Sequence, residues 1–159
     1  MKHGSSLTGN TPLYTAAQRE RRNSSRWTLV QGILAPVQFL VFLISAVLLG
    51  RYLLTGQGLE VAAASVVIKT LFLYAIMYTG ALWEHDVYGQ YLFAPAFYWE
   101  DMVSMVVIAL HTLYLVLYLT GWGSSTLLIG VAVAAYGTYV INAGQFVLKL
   151  RHARLSEAC

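Results

Sequence analysis

From Thr28 onward the chain alternates long apolar runs with short polar breaks. Four runs stand out, at roughly Thr28–Leu54, Val61–Trp83, Asp101–Thr120 and Ser125–Leu150. Each is close to the ~20 residues that a helix needs to cross a ~30 Å hydrocarbon layer. The pattern predicts an all-α polytopic membrane protein built as a bundle of four transmembrane helices. Polar residues recur inside every run at helical spacing: Gln31, Gln38 and Ser45; Ser65, Lys69 and Thr79; Glu100, Ser104, His111 and Tyr118; Thr138, Asn142, Gln145 and Lys149. Positions three, four, seven or eleven apart share a helix face. Each helix thus carries one polar stripe, and in lipid such stripes turn toward a common interior. For Ser45, Ser65, Thr79 and Thr138 the expected role is bonding between helices. Gly130, Gly137 and Gly144 recur at sevens on another side of the last helix, a close-packing face for a neighbouring helix or a second copy of the chain.

Composition agrees: 58% of residues are hydrophobic and 11% charged, too few charges for the surface of a soluble domain of this size. No cleavable secretory signal is expected, because the first 26 residues are polar and basic and the first apolar run is long enough to remain as a span. Residues 1–26 read as a disordered, basic N-terminal segment, 27–151 as the transmembrane domain and 152–159 as a tail. The lone cysteine, Cys159, allows no internal disulfide. Lys2, Arg19, Arg21, Arg22 and Arg26 precede the first run, Lys149, Arg151 and Arg154 close the last, and the loops opposite contribute only Arg51. By the positive-inside rule both termini face the cytoplasm. The net charge of +3 is then a topology and headgroup signal, with no nucleic-acid partner implied.

The tract from Trp83 to Asp101, WEHDVYGQYLFAPAFYWED, breaks that charge pattern. It should face the cytoplasm, yet it has no Lys or Arg and holds Glu84, Asp86, Glu100 and Asp101, four of the chain's seven carboxylates. It also holds Trp83, Tyr88, Tyr91, Phe93, Phe97, Tyr98 and Trp99. Interfacial belts use such residues, but this density also makes a floor for a flat conjugated ligand. Gly89 and Pro95 mark turns, so the tract is expected to fold back as a re-entrant or interfacial lid. A carboxyl group against aromatic walls is desolvated and keeps its proton to higher pH, which makes it a general acid. Two further ionisable groups lie inside the membrane. Lys69 either snorkels outward or serves the interior. His111 is either a neutral hydrogen-bonded residue or a ligand.

The chain resembles the 3-vinyl (bacterio)chlorophyllide hydratase family of bacteriochlorophyll biosynthesis over residues 13–151. The stretches that carry the resemblance are LYTAAQRERRNSSRWTLVQGILAPVQFLVFLISAVLLGRYLLTGQG, SVVIKTLFLYAIMYTGALWE, GQYLFAPAFYWEDMVSM and AAYGTYVINAGQFVLKLR. It implies a hydro-lyase that adds water across the vinyl group of a magnesium tetrapyrrole, giving a 3-(1-hydroxyethyl) group. It implies no cofactor, since the magnesium arrives with the substrate. The location implied is the bacterial inner or intracytoplasmic photosynthetic membrane, with further copies of the chain or other enzymes of the pathway as partners. Glu84, Glu100 and Asp101 fall where the family has acids. On this basis Glu100 is expected to donate the proton, with Glu84 or Asp101 positioning the water. Trp83, Phe97, Tyr98, Trp99, Lys69 and Asn142 are expected to line the substrate, His111 or His85 to reach its magnesium axially, and Arg26, Lys149 or Arg151 to meet its propionate. The protein itself is expected to bind no metal. Three other readings are a non-catalytic pigment carrier or assembly factor, which needs no cluster of acids; a haem protein, which wants a second intramembrane histidine; and a transporter, which wants a polar path across the whole membrane.

Overall fold

A computed structural model describes residues 12–159. It contains five helices: α1 Ala16–Ser24, α2 Arg26–Thr55, α3 Leu59–Tyr88, α4 Tyr98–Thr120 and α5 Ser125–Glu157. The last four are each long and apolar enough to cross a membrane. Their outward surfaces are apolar, with Leu29, Ile33, Leu40, Ile44 and Val47 of α2 all exposed. Their buried faces carry Gln38, Ser45, Lys69, Ser104, His111 and Asn142. This arrangement suits a bilayer, where every backbone polar group is satisfied within its own helix and polar side chains turn inward.

The chain order makes two hairpins. α2 and α3 are joined through Gly56 and Gly58, and α4 and α5 through Gly121 and Gly123, all with positive φ. The α2–α3 contact is fixed by Trp83 Nε1 donating to Thr28 Oγ1 at 3.0 Å, Gln31 Nε2 donating to Thr79 Oγ1 at 2.6 Å, and a Ser45–Ser65 hydroxyl pair at 2.7 Å. The hairpins meet along both flanks. Ser45 also bonds the Tyr136 hydroxyl, tying α2 to α5, and Tyr74 bonds Thr112, tying α3 to α4. Phe42, Tyr114, Tyr136 and Tyr139 fill the layer between them. The sevenfold glycines do not join this packing: a side chain at Gly130, Gly137 or Gly144 would meet open space.

Residues 1–11 lie outside the described residues. The rest of the segment expected to be disordered is not: Thr15 caps α1 through a capping box with Gln18. α1 then lies against the C-terminal end of α5, where Arg22 Nη1 and Arg19 Nε reach Glu157 Oε1 at 3.1 and 3.4 Å. Both ends of the chain therefore share one end of the bundle with the 89–97 connection.

The helices outrun the apolar stretches. α3 has 30 residues, about 45 Å of helix against a ~30 Å hydrocarbon layer. Its apolar stretch ends at Trp83, and that of α4 begins at Asp101. Glu84 and Asp101 thus sit at the polar margins of these helices, at the end that holds α1 and the last turns of α5.

Candidate active site

The 89–97 connection turns sharply after Gly89, the left-handed cap of α3. It then folds inward, so that Ala94 and Phe97 are fully covered. Phe93 adopts φ 61°, a left-handed conformation disfavoured for a residue with a Cβ. Two carboxyls hold it there. Asp101 Oδ2 accepts from the Phe93 amide at 2.8 Å, and Glu84 Oε2 accepts from the Ala94 amide at 3.2 Å. Adjacent amides of one loop thus collect one acid from the end of α3 and one from the start of α4. Phe97, packed edge-on against Trp83 at 5.6 Å and Tyr88 at 5.9 Å and stacked on Phe146 at 5.9 Å, supplies the apolar wall.

Glu84 is 4% exposed and Asp101 2%, and among the described residues no salt bridge reaches either. Burial, then the hydrogen bond and charge of Asp101, push the Glu84 carboxyl up to about 8, against a smaller opposing effect of the Ala94 amide. Burial also raises Asp101, opposed by its bonds to Glu84 and to the Phe93 amide. The bond between them acts in opposite senses on the two acids, raising Glu84 and lowering Asp101. Burial thus raises both carboxyls of the pair. Burial also pushes the Tyr88 phenol up, with the charges of Tyr14 and Glu84 adding to it. Tyr88 remains a donor, to Leu13 O at 3.2 Å, and Tyr14 stacks on its ring at 6.1 Å. The stretch just before α1 is thereby latched beside the acids.

The environment expected for Glu100 is different in the structure. Its Oε2 lies 2.7 Å from Lys149 Nζ, which also donates to Ala96 O. Of the three rings that precede Glu100, expected to line the substrate, only Phe97 faces inward; Trp99 is 70% exposed and Tyr98 44%, because consecutive helical residues point ~100° apart. Asn142 sits beside Glu100, donating to its backbone oxygen at 2.9 Å while accepting from Ser104 Oγ at 3.0 Å. His85 is exposed and stacks on Tyr91 at 4.3 Å. Lys69 and His111 are fully buried and far down the bundle, Asp101 to His111 being ten residues or about 15 Å of α4. Lys69 does not snorkel. The acids, Trp83, Phe97 and Asn142 are therefore brought together; Lys69 and His111 form a separate pair. The sequence reading did not foresee that Lys149 would pair with Glu100, although Lys149 stands seven residues after Asn142 on one stripe, or that the Phe93 and Ala94 amides would collect the acids. Among the described residues no group of three His, Cys, Asp or Glu side chains is placed to hold a metal ion.

Residues 14–152 match the family model described as 2-vinyl bacteriochlorophyllide hydratase (BCHF). The chain belongs to this family. Among similar proteins, the 2-vinyl bacteriochlorophyllide hydratase of Cereibacter sphaeroides is 64% identical over 143 residues, covering 90% of this chain and 89% of the relative. The one from Rhodobacter capsulatus is 60% identical over 146 residues, covering 92% and 85%. No solved structure matches. The family match ends at residue 152 and takes in the whole four-helix bundle up to the last turns of α5, together with all three acids.

Proposed function

We propose that this protein hydrates the vinyl group of chlorophyllide a or 3-vinyl bacteriochlorophyllide a, giving a 3-(1-hydroxyethyl) group in bacteriochlorophyll biosynthesis. The 2-vinyl of the relatives' names is the 3-vinyl of systematic ring numbering. The observation that carries the chemistry is the buried Glu84–Asp101 pair, whose carboxyls burial raises so that the pair keeps a proton toward neutral pH. An alkene is a weak base and needs a donor that still holds its proton at the working pH in a dry site. Glu84 gives its proton to the terminal vinyl carbon, leaving a cation on the carbon next to the ring, where the macrocycle spreads the charge. Water attacks that carbon and loses a proton to Asp101. The proton then crosses the Glu84–Asp101 hydrogen bond and restores the starting state, so atoms and charge balance over the cycle.

Glu100, first expected to be the donor, has a second task in this scheme. With Lys149 it ties the 94–97 stretch to α5, and its negative charge lies close to the developing cation. The macrocycle enters from the membrane edge, against the exposed rings of Tyr91, Tyr98 and Trp99, and the 89–97 connection lifts to admit it. His85, exposed and stacked on Tyr91 of the connection, is the residue suited to meet the substrate's magnesium, while Lys149 or Arg151 meets the propionate. The protein works in the bacterial inner or intracytoplasmic membrane with both termini in the cytoplasm. A pigment carrier would share the aromatic floor but has no use for a carboxyl that keeps its proton. The deciding test is to incubate membranes holding the protein with chlorophyllide a. A blue-shifted pigment that elutes as a more polar compound is expected; pigment bound but unchanged would establish the carrier instead.

A further inference from the structure

Among the described residues, two buried nitrogen atoms near the middle of the bundle have no hydrogen-bond partner: Lys69 Nζ and His111 Nε2, on side chains that are 0% exposed. The reaction described above uses neither. Lys69 comes from α3 and His111 from α4, and the rings that each of them touches, Tyr139 and Tyr136, both pack against Phe42. Lys69 Nζ sits 3.5 Å from the centre of the Tyr139 ring and 6.0 Å from that of Phe42. The imidazole stacks on Tyr136 at 5.9 Å. An aromatic face offers an ammonium attraction but accepts no ordinary hydrogen bond, and leaving a buried donor unmade costs about 1–3 kcal/mol or more.

The two vacancies are complementary. His111 Nδ1 lies 2.8 Å from Val107 O. A carbonyl oxygen only accepts, so Nδ1 carries the ring proton and Nε2 presents a lone pair. One orphan is therefore a donor and the other an acceptor, on neighbouring helices, and they do not meet directly.

We propose that an internal water site lies between them, the water accepting from Lys69 Nζ and donating to His111 Nε2. The donor–acceptor requirement excludes two other kinds of occupant. An anion or a carbonyl group satisfies Lys69 but gives nothing to Nε2. A metal ion, the magnesium of a tetrapyrrole included, takes Nε2 but meets an ammonium beside it. Water does both and is the smallest molecule that can, and buried waters ordinarily make two to four such bonds to otherwise unsatisfied groups. The site links α3 to α4 at the depth where the two hairpins are otherwise joined by rings, and it leaves no nitrogen free for pigment.

Proton-detected solid-state NMR on the full chain in lipid bilayers, with 15N-labelled histidine and lysine, tests this. His111 is assigned by the signal lost in His111→Gln. The expected result is a cross-peak at the water frequency from both His111 Nε2 and Lys69 Nζ in pigment-free protein, unchanged when magnesium chlorophyllide is added. In Lys69→Met the His111 Nε2 signal should move toward that of an unbonded acceptor, while Glu84→Gln leaves it in place. A direct Lys69–His111 contact with no water cross-peak overturns the proposal. So does a shift of His111 Nε2 on adding chlorophyllide, which would make it the axial ligand instead. If Lys69→Met does not fold, the water cross-peaks of the unaltered chain decide alone.

Discussion

A carboxyl that keeps its proton near neutral pH needs burial and an acceptor beside it, and Glu84 has both. Glu84→Gln preserves shape but cannot donate that proton. It should bind chlorophyllide close to normally and hydrate it at least ~100-fold more slowly, measured as turnover of saturated enzyme. Glu100→Gln breaks an ion pair rather than removing the proton, so its loss should be the smaller; a Glu100→Gln protein as slow as Glu84→Gln would return the donor role to Glu100. The pH dependence follows with its sign. Glu84 is raised from 4.5 to about 8, so the active protonated form persists through neutrality and activity falls as pH climbs past about 8. The same shift means that the folded state binds the extra proton between those values, so stability also declines over that window as pH rises. A pH–rate profile that rises from 7 to 9 would contradict both assignments. At this scale the sequence showed which residue types mattered, but it could not show pairing. Glu84 meets Asp101 only because α3 runs five residues beyond its apolar stretch and the connection folds back between them.

The elements themselves were legible as apolar runs, and all four runs are helices. Their ends were not. Hydropathy marks where lipid stops, whereas α3 continues through Glu84–Tyr88 to the left-handed cap at Gly89. α5 likewise continues past Leu150 to Glu157. α1 was read as structureless although Thr15 and Gln18 carry its capping signature; a short polar helix has no hydrophobic period to reveal it. The element that matters most to catalysis is the 89–97 connection, held over the acids by its two amides and by Lys149 at Ala96 O. Lys149→Met should loosen it. The expected outcome is faster hydrogen exchange at the Ala94 and Phe97 amides and a lower Tm, with the exchange rates of α2 unchanged. The ion pair is partly open to solvent, so a stability loss of about 1–3 kcal/mol is expected rather than the full cost of stranding a deeply buried charge.

At the scale of the whole molecule, α1, the end of α5 and the catalytic connection gather at one end of the bundle. With the basic flanks facing inward, tags at either terminus should react only with reagents admitted to the cytoplasmic side; opposite sidedness of the two tags would rule this topology out. The order of the hairpins along the chain has another consequence. Each of them satisfies its own backbone and can enter the bilayer as a unit, and the exposed segment after Gly89 is the one covalent link between them. Glu84 belongs to the first hairpin, and Asp101, Glu100 and Lys149 to the second. Two separate polypeptides, residues 1–89 and 90–159, should therefore each insert and each be inert, yet restore hydration when produced together in one cell. The enzyme would then exist as a non-covalent heterodimer, with one acid of its proton-sharing pair encoded on each message.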